Sequence, residues 1–309
     1  MHWQPFTWRI PRKDRVFIED GVVRPGKTVG DYVIGSGRYD PFSHSNLPNA
    51  LAKVQDEADV VNFVQSYGLL GYSPRLLFGP KPRELAQLYD AMKGDPVDWV
   101  LAHARTVRFA LRLLHALQYP GDGLLLDVLQ EEWRPFEGPP DLDDPEVTRG
   151  FAALEKGGIV GHFDVALGAE TTMLVPGTVL PEHAGRPEAT RAVAQELLVL
   201  MVSSNTVGVT QSLTVRNGTF GVQRRATSLI EVIWYHVGEM ALIQQHAQTT
   251  GEDNGKAIRT CEECGSPFLV TDQRERFCPS PFGGPSLCAS RNRQRRYRQR
   301  KRQQKKEGS

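Results

Sequence analysis

The sequence predicts a mainly α fold of the α+β kind: a multi-helical body with small β-hairpins, then a small cysteine-bearing module and a basic tail. Three observations carry this expectation. Apolar residues recur at helical spacing through much of residues 50–248. Hairpin turns are signalled at Asp20-Gly21 and Asn217-Gly218. All four cysteines, Cys261, Cys264, Cys278 and Cys288, lie together near the carboxy terminus, just before the densest block of positive charge.

Residues 1–49 are rich in aromatic residues, Pro and Gly and read as short strands and turns. Gly35-Ser36-Gly37 lacks the lysine and the further glycines of a phosphate loop and reads as a plain loop. From Ala50 a helix is expected, with Leu51, Val54, Ala58, Val61 and Val64 on one face and Gly68 and Gly71 ending it. Pro82 opens a second helix. Asp95-Pro96 opens a third, the aspartate placed to cap free amides and the proline suited to the first turn. Along that helix Val100, Ala104, Val107, Leu111, Leu114 and Gln118 track a buried stripe, while Arg105, Arg108 and Arg112 form a solvated face.

Residues 119–145 are expected to be a loop or junction because Pro, Gly and Asp crowd there. A helix returns at Glu188–Ser203, with Ala192, Leu197, Leu200 and Met201 available for packing. Two extended arms then meet at Asn217-Gly218. Ser228, three residues before Glu231, forms a capping box for a helix carrying Leu229, Ile233, Val237, Met240 and Ile243. A polar linker over 249–258 leads to the cysteine module at 259–290 and the tail at 291–309.

The module begins Cys261-Glu262-Glu263-Cys264-Gly265, a spacing that lets one tight turn aim two sulfurs at a single ion while the glycine takes the strained position after it. Thirteen residues separate Cys264 from Cys278, and nine more separate it from Cys288. Four thiolates make a closed tetrahedral set, so the cofactor this pattern implies is structural Zn2+ with no position left for chemistry. The Pro- and Gly-rich interval before Cys288 is long; either a loop insertion is closed at small entropic cost, or Cys288 stands outside the set, or the site has lost its metal.

Charge is segregated. Residues 291–309 hold ten of the 37 basic residues and one of the 36 acidic ones, so a body of −8 carries a tail of +9 despite a net charge of +1. Such a tail repels itself unless a polyanion lies beside it. Arg291, Arg295, Arg298 and Arg302 would share one helical face and Arg293, Arg296 and Arg300 another, with Lys301 beside them. Arginine binds phosphate oxygens bidentately and stays charged, so DNA is the expected partner.

The amino terminus has no basic region followed by an apolar core, and no run reaches the length of a membrane helix. Cysteines confined to one cluster point to reduced thiolates in a cytoplasmic setting. His103 and His115, His162 and Asp164, and His236 and His246 each read as structural, because no further ligands join them. Catalysis is not expected. The acids Asp141, Asp143, Asp144 and Glu146 fall in a Pro-rich stretch, and no nucleophile elbow or His-Glu-x-x-His element is present.

The segments Arg259 to Phe268, Arg276-Phe277-Cys278, and Cys288 with Arg291-Asn292-Arg293 and Tyr297 to Arg300 resemble the CGNR zinc finger proteins, a group of bacterial, often actinobacterial, proteins regarded as transcription regulators. Phe63 to Gly71 is similar to their helical region. The tetrad that names the family is absent, since Ala-Ser-Arg follows Cys288. The resemblance implies a helical amino-terminal region, a zinc ribbon and DNA binding in transcription regulation. A second expectation is a protein-interaction or ligand-sensing module, in which the helical body takes a protein partner or small-molecule effector and zinc only staples the fold.

Overall fold

A computed structural model describes residues 7–33, 37–72, 93–119, 123–135, 161–168, 170–177, 187–216, 219–250, 258–265, 267–269, 275–278 and 286–307. The helix expected at Pro82, the Gly35-Ser36 loop, the four acids of the Pro-rich stretch and the Asn217-Gly218 turn itself lie outside these residues. The fold is mainly helical with small antiparallel sheets.

The first segment supplies β1 (Trp8–Ile10), β2 (Phe17–Glu19), β3 (Val22–Arg24), the short α1 (Val29–Val33) and β4 (Gly37–Tyr39). β1 pairs with β4, and β2 with β3 across Asp20-Gly21, the expected hairpin. Val16 and Val23 belong to the same continuous core as the helices. Trp8 Nε1 donates to the Leu69 carbonyl and the Tyr39 hydroxyl to that of Tyr67, clipping the β1–β4 ribbon over the end of a helix. Gly68, at φ 91°, ends that helix, and a Cβ there would collide with the Arg9 carbonyl oxygen.

The single helix expected from Ala50 is two: α2 (Leu47–Leu51) and α3 (Glu57–Tyr67). Asp56 starts the second by accepting the Asp59 amide at 2.9 Å. The intervening turn is held from outside by Arg108, whose Nε donates to the Ala52 carbonyl at 2.7 Å and Nη2 to that of Val54 at 2.9 Å. A capped start and a clamped turn outweigh the continuous apolar stripe.

Next come β5 (Asp95–Pro96), paired with β3, and α4 (Val97–Leu117), the long helix on which the body is built. The expected stripe is buried from Val100 to Leu114, but so are Trp99, His103, Thr106, Phe109, Ala110 and Leu113, so α4 is covered on more than one face. The solvated basic face is corrected only at Arg108, the clamp just described; Arg105 is exposed, and Arg112 makes a surface pair with Glu131. Asp95 does not cap α4. Its fully buried carboxylate instead accepts the amides of Leu70, Gly71 and Tyr72, at 2.6 to 3.3 Å, tying the chain after α3 to the start of α4.

Residues 119–145 are not all loop. Leu125, Val128 and Leu129 are buried on α5 (Gly123–Glu132), followed by β6 (Trp133–Pro135). The Gly and Asp content marks the ends of this short amphipathic helix rather than its absence. β6 pairs with β7 (Gly161–Leu167), which pairs with β8 (Glu170–Gly177). Phe163 of β7 stacks on Phe109 of α4, with ring centroids 5.8 Å apart. The β7–β8 turn is gripped at Gly168, whose carbonyl accepts from Trp99 Nε1 and His103 Nε2 and whose amide donates to Asn205. Burial pushes the His103 imidazole down to about 4, so it is neutral.

α6 (Pro187–Asn205) buries Ala194, Leu197, Leu198 and Met201, a face that leaves Ala192 exposed. β9 (Thr210–Arg216) and β10 (Thr219–Arg225) pair as the expected hairpin arms. α7 (Leu229–Thr250) opens on the expected capping box: the Glu231 amide donates to Ser228 Oγ, and the Glu231 carboxylate accepts the amides of Ser228, Thr227 and Gly208. Helix α7 reaches Thr250, so the polar linker begins no earlier than that. His236 Nε2 donates to the Pro41 carbonyl at 3.0 Å and the ring lies beside Glu239, a buried structural histidine as expected.

Burial outweighs the three amide hydrogen bonds and raises the Asp95 carboxyl to about 6, above the roughly 3.9 of an unfolded aspartate. The folded state therefore binds the proton more tightly. This residue's stabilising contribution is complete below pH about 4 and is lost as pH rises through about 6. Urea unfolding should show this fall, of roughly 3 kcal/mol at most, and Asp95→Asn should remove it. An unchanged slope in the variant would mean that another group titrates.

Candidate metal centre and basic helix

The last described elements are β11 (Ile258–Thr260), β12 (Pro267–Leu269) and α8 (Leu287–Glu307). β11 and β12 form an antiparallel ribbon, and the Cys-x-x-Cys turn joins them. Gly265 has φ 69° and donates its amide to the Cys261 carbonyl at 2.9 Å, the backbone position anticipated for it. The Glu262 amide donates to the Arg276 carbonyl, which brings the Cys278 segment alongside the first turn. Phe268 is fully buried among Cys261, Cys278 and Cys288, with Phe277 packed against them.

All four predicted sulfurs come together. They lie within 4.8 Å of one another, with Cys264 and Cys278 3.9 Å apart and Cys278 and Cys288 3.5 Å apart. No pair is a disulfide. A tetrahedral ion with metal–sulfur bonds of about 2.3 Å separates its sulfurs by about 3.8 Å. The donor set thus fits a divalent, thiolate-preferring metal, and Cys288 belongs to it despite the long interval before it. Cys288 is the second residue of α8, and Ser286 Oγ accepts the Ala289 amide at 3.2 Å, so this sulfur lies at the positive end of a capped helix.

Burial pushes the Cys278 thiol well above its ordinary range and that of Cys288 up to about 11. A coordinated thiol is deprotonated outright, so metal capture must release protons. Lys53, from the α2–α3 turn, puts Nζ 3.6 Å from Cys278 Sγ. Burial acts to lower the lysine pKa, but the surrounding Cys278, Cys264 and Cys288 sulfurs outweigh it and leave it raised.

Helix α8 carries every predicted cation. Arg291, Arg293, Arg295, Arg296, Arg298, Arg300 and Lys301 are exposed, as is Tyr297, and Arg302 lies further along the same helix. The two faces differ. Arg295 Nη2 donates to Glu263 Oε1 at 2.6 Å, and Glu263, in the Cys-x-x-Cys turn, is largely buried. Arg291, Arg295 and Arg298, with Glu263, Gln294 and Gln299, line a cleft of about 400 Å³ beside the module. Arg293, Arg296 and Arg300 fall on the opposite side of the helix, away from Glu263.

Three contributors escaped the sequence reading. Glu263 has no part in the spacing argument, although an acid ahead of a run of arginines is a recognisable signal. Lys53 and His115, whose Nε2 meets the Thr260 hydroxyl just before Cys261, carry no local signal at all. Among the described residues, no helix is long and apolar enough to cross a membrane. No family model, curated protein or solved structure matches the chain.

Titrating the reduced full-length chain with Co2+ should give thiolate-to-metal charge-transfer absorbance that saturates near one ion per chain, about one equivalent. Cys288→Ser should lose most of it, as should Cys261→Ser. Lowering the pH from about 8 to about 6 should weaken apparent affinity by roughly one decade per unit for each thiol proton released, up to about four, because protons compete for the thiolates. Full cobalt absorbance in Cys288→Ser would remove that residue from the set.

Proposed function

We propose that the chain is a zinc-stabilised DNA-binding protein of bacterial, cytoplasmic transcription regulation, of the kind CGNR zinc finger proteins are taken to be. The observation that carries this reading is the junction at Cys288, where a closed four-cysteine set ends directly in a helix bearing the densest cationic charge of the chain. Four thiolates in tetrahedral spacing favour zinc. The zinc folds the module and leaves no open coordination position, so the role is binding and not catalysis.

At 1.5 Å per residue α8 is roughly 30 Å long, enough to lie along several phosphates of a groove. With one side of the helix turned to Glu263, the face offered to the duplex is that of Arg293, Arg296 and Arg300, flanked by Lys301. These contacts position the protein on the backbone and name no base sequence. Tyr297, exposed among them, can pack on sugar or base.

A second reading rests on a different observation. A cleft of about 700 Å³ between the α2–α3 turn and α4, lined by Val54, Gln55, Asp98, Leu101, Ala102, Arg105 and Arg108, offers the body a place for a protein partner or effector. The two readings are compatible. Deleting residues 291–309 abolishes the principal interaction in the first and spares it in the second.

With about five cations on phosphates, log affinity for duplex DNA should fall against log salt with a slope near −4 to −5. Arg293→Ala, Arg296→Ala and Arg300→Ala together should reduce that slope by about three and weaken binding across all sequences. Arg295→Ala should matter less, since its guanidinium already engages Glu263. Binding that ignores salt, or a larger loss from Arg295→Ala than from the triple variant, would overturn the assignment of the face.

A further inference from the structure

The metal ligands are met by a charge from the opposite end of the chain. Lys53 Nζ and Cys278 Sγ are 225 residues apart in sequence and 3.6 Å apart in space. The placement is built. Ala52 and Val54 on either side of Lys53 are buried, and both their carbonyls are held by the one Arg108 guanidinium, at 2.7 and 2.9 Å. The backbone of residue 53 is thereby fixed and its side chain directed outward. Seven residues beyond Arg108 on α4, two helical turns, His115 meets Thr260 beside Cys261. The module is thus docked on the body at two of the three segments that carry its cysteines.

An ammonium group offers three donors and no acceptor. Four thiolates around a divalent ion carry two excess negative charges, and a donor at one sulfur offsets part of them. We propose that Lys53 is a positioning residue of the metal centre: it hydrogen-bonds Cys278 from outside the coordination sphere, so that metal capture and docking of the module on the helical body reinforce each other. The coupling is reciprocal, since whatever the docked body adds to metal affinity the metal adds to docking. This rests on the metal reading above. It changes what the module is: not a ribbon hung on a linker but a part whose metal affinity depends on the body.

The test is zinc affinity by chelator competition on full-length wild type, Lys53→Met and Lys53→Arg, with thermal unfolding of each in the presence and absence of Zn2+. Partners of this kind typically change metal affinity by about 10- to 100-fold. Lys53→Met should weaken zinc binding by that factor, shift the Co2+ charge-transfer band, and shrink the zinc-induced rise in the unfolding temperature of the body. Lys53→Arg, which keeps charge and donors, should recover most of the affinity. Equal zinc affinity in wild type and Lys53→Met, within about twofold, would overturn the proposal, as would an arginine variant no better than methionine. Should circular dichroism show that Lys53→Met misfolds, Lys53→Gln in the same titration decides by the same criterion. A wild-type chain that captures no zinc would defeat the metal reading and this inference with it, and that failure shows before any variant is made.

Discussion

Helix α4 must bury side chains around most of its circumference, and a helix so covered can keep polar residues only where each finds a partner. Those partners define the rest of the body. Trp99 and His103 reach the Gly168 carbonyl, and Thr106 Oγ1 accepts the Ala166 amide, so the polar atoms of α4 fasten the β7–β8 sheet. Arg108 fastens the α2–α3 turn. At its carboxy end the Leu117 carbonyl accepts from Arg191 of α6 and Gln248 of α7, satisfying an orphan helix carbonyl with donors from two neighbours. Apolar burial supplies the driving force, while these directional contacts select which elements lie where.

That division explains what could be read from the sequence. Features set by contacts within a few residues were legible: the stripe from Val100 to Leu114, the Ser228–Glu231 capping box, the Asp20-Gly21 hairpin and the Cys-Glu-Glu-Cys-Gly turn. Features decided by distant partners were not. Asp95 precedes a helix and has the form of a cap, yet three amides of residues 70–72 claim its carboxylate. Arg108 lies off the apolar stripe and has the form of a solvent-facing residue, yet two carbonyls claim it. Periodicity reports which side of a helix is apolar and is silent on where a long cationic side chain ends. The short α5 failed for another reason: its three buried residues, Leu125, Val128 and Leu129, are too few to outweigh the Gly and Asp that border it.

The carboxy-terminal site shows the same split. The Cys261 and Cys264 spacing declared itself, and Cys278 and Cys288 joined by chemistry, although the length of the interval before Cys288 argued against it. Loop length is a weak constraint on closure, because each doubling adds only about 0.6 kcal/mol, far less than a metal–thiolate bond supplies. The contacts around these cysteines, Lys53 at Cys278, His115 at Thr260 and Arg295 at Glu263, follow from how the α2–α3 turn, α4 and α8 pack.

Placing ten cations beside a body of −8 poses a problem the fold has to solve, since a flexible tail would collapse onto its own acids and hide from any other polyanion. Starting the tail as a helix at Cys288, inside the four-cysteine cluster, prevents this. Cys288 fixes the first turn of α8, and the Arg295–Glu263 pair fixes a point seven residues on, two turns along the same side. A helix held at two points has a set direction, so the cations beyond it project away from the module instead of folding back. Like charges at i and i+4, as at Arg296 and Arg300, each cost the free helix a few tenths of a kcal/mol. Phosphates along that face would remove the repulsion and use an arrangement already in place. Glu263 thus engages Arg295 on the near side of α8, while Arg293, Arg296 and Arg300 lie on the far side.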